Sequence, residues 1–436
     1  MSEIRPSTAD ANDTPRESAH LRPLSFRNVD RAFAWLASLV LALTIAKGFR
    51  FPGRWAATHF TFNYSQGFTK RALVGEIARR IGGDYVYRYN VFVAFSFLVL
   101  IAVGVTLFIV TRQALRTREA DWTFRAVVLV TCASPGTLFL AHIVGYFDFI
   151  GLLAVLGLLR WAVKSQHRSA LYWGITATFL VLPFIHEGLV VMFGPCALFI
   201  ALCHWLRAQG ERTPTTQDFL RFGSSALLAT LLVISVVVSI SALSVPRYLE
   251  LQRFALQHSD FWLRPDAFTV LTQSAYRNFA VSVPAYWRWH GARMLAAEGQ
   301  TAFMPGFLFV IAYSIRELYA APRARRVVLC LAFLAAALAP QAMNLVGWDW
   351  QRWDGMALMT SLICIVAYKL HFPAAPTTRP SLRFVTVGVS LTAIGLASTM
   401  PLYDGLKVQF FPYVRQLEFV KLVLESGFRY RPGPSD

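Results

Sequence analysis

An ionisable pair, His186-Glu187, separates two apolar runs within Pro183-Phe184-Ile185-His186-Glu187-Gly188. A two- or three-residue polar turn between apolar helices holds such a pair at or just inside a membrane surface, where ionisable groups are functional candidates. A carboxylate there gains proton affinity by desolvation and can act as a general base. A capped turn with a satisfied histidine is the alternative reading. Asp148 repeats the situation one hairpin earlier. In Ala141-His142-Ile143-Val144-Gly145-Tyr146-Phe147-Asp148 the turn is tight, which brings His142 near Asp148. Asp148 falls in a first helical turn, where the positive helix end favours a carboxylate. It reads either as a base or as a helix cap.

Cations and aromatics accompany these carboxylates. Residues 344–355 hold Trp348, Asp349, Trp350, Arg352, Trp353 and Asp354. On a helix, Asp349, Arg352 and Trp353 share a face by i, i+3 and i, i+4 spacing. Tyr286-Trp287-Arg288-Trp289-His290 is a second aromatic and cationic cluster. Indole faces stack on sugar rings and guanidinium forks suit phosphate oxygens. An interfacial aromatic belt uses the same residues, so both readings stand. A third cluster lies in Thr61–Gly83. Tyr64 and Gly67 sit in turn chemistry, with glycine available for an unusual backbone angle. From Phe68 to Ile81 apolar residues recur at helical spacing, and Lys70, Arg71, Glu76, Arg79 and Arg80 fall mostly on the other side. This predicts a short basic amphipathic helix in the headgroup plane, either a plain lipid anchor or a phosphate site.

The elements that position these groups are apolar runs of about twenty residues, the length that spans a hydrocarbon core. The 436-residue chain is 56% hydrophobic and 15% charged. The expectation is an all-α, polytopic membrane helical bundle of about eleven transmembrane helices. They fall near 31–49, 90–111, 124–141, 147–163, 170–185, 188–206, 222–245, 302–320, 326–343, 355–371 and 383–400. Ser134-Pro135-Gly136 predicts a kink in the third. A β-barrel would show short alternating segments instead. Alternate connections are short and basic, which makes them cytoplasmic. The connections 50–89, 142–146, 186–187, 246–301 and 344–354 are then external and hold nearly every unusual residue above. Residues 1–30 read as a disordered cytoplasmic tail, 31–400 as the transmembrane domain and 401–436 as an external tail. The first apolar run reads as a retained span.

The net charge of +18 would suggest nucleic acid in a soluble chain. Here it sits in short loops, so orientation and anionic headgroups account for it, and no nucleic-acid partner is expected. The five cysteines form no CxxC pair, which implies neither a zinc site nor a disulfide framework. No nucleotide-binding glycine loop, HExxH helix or nucleophile elbow is present in a fitting context. Any chemistry belongs to the external membrane face.

Tyr64-Ser65-Gln66-Gly67-Phe68-Thr69-Lys70-Arg71 and Asp349-Trp350-Gln351-Arg352-Trp353 resemble stretches of polytopic bacterial envelope proteins. The layout also resembles the GT-C membrane glycosyltransferases and the O-antigen polymerase and ligase group. The resemblance implies a donor sugar on a polyprenyl phosphate, a glycan or lipid acceptor, and a site at the external face of the bacterial inner membrane. It matches an interfacial helix to Phe68–Ile81 and a large late loop to 246–301. Many GT-C enzymes carry acids early in the first external loop. Here residues 50–75 have none, and Glu76 and Asp84 are the only acids in that loop. The base therefore shifts to Glu187, Asp148 or Asp349, with Lys70, Arg71, Arg288 and Arg352 on the phosphate. Tyr64, His142, His186, Trp287, Trp289, Trp348 and Trp350 line the substrate. No cofactor is required, although a divalent cation would be compatible. A flippase for a lipid-linked solute and a non-catalytic assembly subunit are the rival classes.

Overall fold

The computed structural model describes residues 26–117, 121–165, 168–210, 243–272, 303–345, 349–373 and 381–398, with scattered positions elsewhere. Every regular element among them is helical. In chain order they are α1 (Phe26–Gly48), α2 (Arg54–Phe60), α3 (Leu73–Gly82), α4 (Tyr89–Arg116), α5 (Trp122–Ala133), α6 (Pro135–His142), α7 (Asp148–Lys164) and α8 (Arg168–Ile185). Then come α9 (Gly188–Ala208), α10 (Val245–His258), α11 (Pro265–Thr269), α12 (Phe303–Tyr319), α13 (Arg323–Leu338), α14 (Trp350–His371) and α15 (Leu382–Ala397). Short 3₁₀ turns join α3 to α4 and follow α13.

Five of these helical segments are long and apolar enough to cross a membrane, or six if the bent pair α5–α6 is one span. The bend is 43°, at the expected Ser134-Pro135-Gly136. Pro135 cannot donate a backbone hydrogen bond, and the Ser134 hydroxyl instead accepts from the Gly136 N–H at 3.1 Å. Helices also occupy the other expected positions, but α8 and α15 contain only shorter apolar stretches. The expected span at 222–245 lies almost wholly outside the described residues.

α14 is the axis of the bundle. Its most apolar window is wholly buried, and α4, α6, α9, α12 and α13 pack around it. By contrast, little of α1 and α4 is buried, and Trp35, Leu39, Leu98 and Ile101 lie on the outside. Such apolar exterior surface suits helices that face lipid.

At one end of the bundle the first and late connecting segments dock on each other. The Tyr89 N–H donates to Asp260 Oδ1 at 2.8 Å, and the Arg264 N–H donates to Thr58 Oγ1 at 3.0 Å. Phe62 packs on Phe268, with ring centres 5.1 Å apart. This layer covers the ends of the helices that carry the candidate site.

Candidate functional site

The amphipathic helix begins later than its periodicity suggests. α3 starts at Leu73, not Phe68, because the preceding turn uses backbone angles no right-handed helix allows. Gly67 has φ +107° and Arg71 has φ +62°. Arg71 is the one non-glycine residue with positive φ among the described residues. A left-handed L-residue costs roughly 1–2 kcal/mol, and such strain concentrates at functional sites. Lys70 and Arg71 therefore lie in a shaped loop rather than along a helix face. α3 exposes Ile77 and Ile81 and buries Glu76. Glu76 accepts from the Tyr64 N–H at 3.1 Å and from Arg80 Nε at 2.6 Å. Gly75 lets the helix sit on its own loop, since a Cβ there would lie 2.0 Å from the Phe62 carbonyl oxygen.

Arg71 reaches across to the α8–α9 turn. Its Nε donates to Glu187 Oε1 and Oε2 at 3.1 and 2.8 Å, and its Nη2 also pairs with Oε1. Burial pushes the Glu187 carboxyl up, but the neighbouring cations, Arg71 foremost and then Lys70, hold it well below the usual carboxylate range. Beside it, His186 Nδ1 accepts the Gly188 N–H at 3.0 Å, so this nitrogen carries no proton. Burial and Arg71 lower the His186 pKa well below its ordinary value and keep the ring neutral. Lys70 is buried next to Glu187 and Arg71, and burial lowers its pKa.

A second ion pair lies deeper. Asp148 opens α7 and is fully buried. It does not cap its helix through its side chain. Instead Arg352, in the first turn of α14, donates from Nε to Asp148 Oδ2 at 2.5 Å and from Nη2 to Oδ1 at 2.9 Å. Arg352 Nη1 donates to Asp349 Oδ2 at 3.0 Å, the i, i+3 pair expected from the sequence. The guanidinium also lies over the Tyr146 ring at 4.7 Å.

The two pairs share one region. His59 on α2 feels Arg71, His186, Arg352 and Glu187 electrostatically, and His186 feels Arg71, Glu187, Arg352 and Lys70. His59 is buried, and its Nε2 has no hydrogen-bond partner among the described residues. Burial first, then the neighbouring cations, lower its pKa far below the ordinary histidine value. Sequence reasoning passed over His59, a lone histidine in an apolar stretch. Its one signal was Trp55 a helical turn earlier, whose ring packs on it at 5.2 Å.

The structure thus gathers Lys70, Arg71, Asp148, His186, Glu187, Asp349 and Arg352. Tyr64 stands at the edge, stacked on Phe68 at 5.1 Å. His142 turns its Nδ1 to the Gly48 carbonyl at 3.3 Å, not to Asp148. Trp350 is the first residue of α14, but its side chain lies outside the description, as do Trp287, Arg288, Trp289 and Trp348. Among the described residues no three His, Cys, Asp or Glu side chains are grouped to hold a metal ion. Each of the three carboxylates of the site accepts from a guanidinium.

Fold and site define a helical bundle with segments of membrane-crossing length and a buried, cation-rich polar centre at one end. No family model matches the chain, and neither a curated protein nor a solved structure does.

Proposed function

We propose that this protein is a membrane glycosyltransferase or polysaccharide polymerase, using a polyprenyl-phosphate-linked sugar at the external face of the bacterial inner membrane. About eleven spans, a cytoplasmic N-terminus and an external C-terminus complete the topology. One observation carries the reading: a strained Arg71 grips Glu187 beside a buried Lys70, so an anion site and a candidate base share one guanidinium.

The donor phosphate competes with Glu187 for Arg71. A bidentate guanidinium–phosphate contact is as well made as the one it replaces. Glu187 then loses its strongest counter-charge, burial dominates, and its proton affinity rises. It takes the proton of the acceptor hydroxyl as the acceptor oxygen bonds to the anomeric carbon. The bond from that carbon to the phosphate oxygen breaks, and the electron pair leaves on the phosphate, neutralised by Arg71 and Lys70. Asp148, wholly buried and clamped by Arg352, is a positioning residue in this scheme. Trp287, Trp289, Trp348 and Trp350 supply stacking faces for sugar, and Arg288 a further phosphate contact, on the strength of the sequence.

The test is transfer of labelled sugar from a polyprenyl-phosphate donor by purified full-length protein in lipid vesicles. Glu187→Gln and Arg71→Ala, at matched protein levels, are expected to lower turnover by about 10²-fold or more. Donor that is never consumed, but whose exposure on one vesicle face depends on the protein, would replace this reading with a flippase.

A further inference from the structure

At the opposite end of the bundle an open groove runs between α1 and α4, with Val128 and Cys132 of α5 and Leu362 of α14 also lining it. Its walls are almost entirely apolar. Part of its width comes from Gly104, where an added Cβ would meet nothing within 4 Å. The groove is flanked by the exposed apolar faces of α1 and α4 described above, so its open side faces where lipid chains would lie.

One rim carries charge. Arg112 and Arg116, one helical turn apart on α4, both line the groove and are both exposed. Neither forms an ion pair among the described residues. The acid on the other rim, Asp30, is already paired with Arg125. The groove therefore presents an apolar channel ending in two guanidinium groups that form no ion pair among the described residues. From Arg112 back to Gly104 the channel follows α4 for about 12 Å at 1.5 Å per residue. An aqueous solute has no use for such walls, and a zwitterionic lipid no use for both cations.

We propose that this groove is a binding site for an anionic glycerophospholipid, one acyl chain lying along Gly104 and Leu107 and the headgroup phosphate held by Arg112 and Arg116. Basic rims between transmembrane helices recognise anionic headgroups by this combination of charge and chain burial. The site is remote from Arg71 and Glu187 and does not depend on the glycosyl-transfer reading.

The experiment uses the full chain in mild detergent, titrated with phosphatidylglycerol or phosphatidylcholine of identical acyl chains. Retained lipid is counted by native mass spectrometry and the unfolding midpoint is followed. Wild type is expected to retain phosphatidylglycerol at least tenfold more tightly than phosphatidylcholine. Arg112→Gln/Arg116→Gln, a change at two exposed positions, should erase that preference with the lipid-free midpoint at the wild-type value. Gly104→Leu should fill the channel and weaken retention of both lipids, while the lipid-free midpoint stays at or above wild type. Equal retention of the two lipids by wild type overturns the proposal, as does an undiminished preference in the double arginine variant. Preferential retention of a polyprenyl phosphate over phosphatidylglycerol at this groove would overturn it as well.

Discussion

Asp148→Asn is the sharpest probe of the buried pair. The substitution keeps the side-chain shape and removes its charge. Arg352 then faces one amide oxygen and one amide N–H in place of the two carboxylate oxygens it contacts at 2.5 and 2.9 Å. One hydrogen bond survives and one N–H is set against another. Asp349 remains at 3.0 Å, but its side chain is 29% exposed while that of Asp148 is 0% exposed, so it compensates only part of the buried charge. Breaking a buried pair by removing one partner costs about 3–5 kcal/mol, and the surviving Asp349 contact places the expected loss near the lower figure. The assay is thermal unfolding of purified protein at one fixed scan rate, for wild type, Asp148→Asn, Arg352→Met and the double variant. Removing both charges should recover much of the loss, giving a coupling of about 2–3 kcal/mol. Additive costs, or a wild-type midpoint for Asp148→Asn, would refute the reasoning. An activity loss in Asp148→Asn with unchanged stability would move the base from Glu187 to Asp148.

Three further outcomes follow from the same geometry. Gly75→Ala drives a Cβ into the carbonyl oxygens of Phe62 and Phe60, at 2.0 and 2.4 Å, and should lift α3 off its loop; faster proteolysis within 61–83 would register it, and wild-type resistance would contradict it. Arg71→Ala keeps a left-handed L-residue while Arg71→Gly does not, so the glycine variant should unfold with about 1 kcal/mol more stability although both lose the Glu187 contact. Equal midpoints would remove the inference of strain. His59 and His186 lie below their ordinary pKa in the folded protein, so the unfolded chain binds more protons as pH falls. Their contribution is therefore complete above about pH 6.5 and is lost on acidification, at up to about 1.4 kcal/mol per pH unit for each ring. Between pH 6.5 and 5 the unfolding midpoint of His59→Gln should fall less steeply than that of wild type; parallel slopes would show that His59 titrates normally.

Much of the scaffold was legible because helices of membrane-crossing length are written as long apolar runs. The breaks were legible too. Ser134-Pro135-Gly136 ends one helix and starts another, and α8 and α9 meet at His186-Glu187. The start of α3 was not, because hydrophobic periodicity continues through Phe68 while the backbone, at Gly67 and Arg71, does not. The pairings were also hidden. Arg71 and Glu187 are 116 positions apart, and Asp148 and Arg352 are 204 apart. No local spacing rule relates residues at such separations. Read singly, each carboxylate looks like a base and each arginine like a phosphate ligand. Read as pairs, their roles divide, since a carboxylate already holding two guanidinium N–H groups is available only if something displaces them.

That condition separates the two pairs by burial and by hydrogen-bond count. Arg352 spends Nε, Nη1 and Nη2 on two carboxylates, stacks on Tyr146, and sits opposite a carboxylate with no exposed surface. An incoming anion would have to break three bonds and leave Asp148 charged in a low-dielectric interior, which costs more than the anion returns. Arg71 faces a single carboxylate whose side chain is 20% exposed, and its own is 11% exposed. Lys70 stands by as a second cation, with a proton affinity already lowered by burial. An anion arriving there replaces one charge-assisted contact with another and restores the proton affinity of Lys70 by its own field. By exposure and hydrogen-bond count the rim pair is therefore the one better placed to exchange partners, while the deep pair ties α7 to α14.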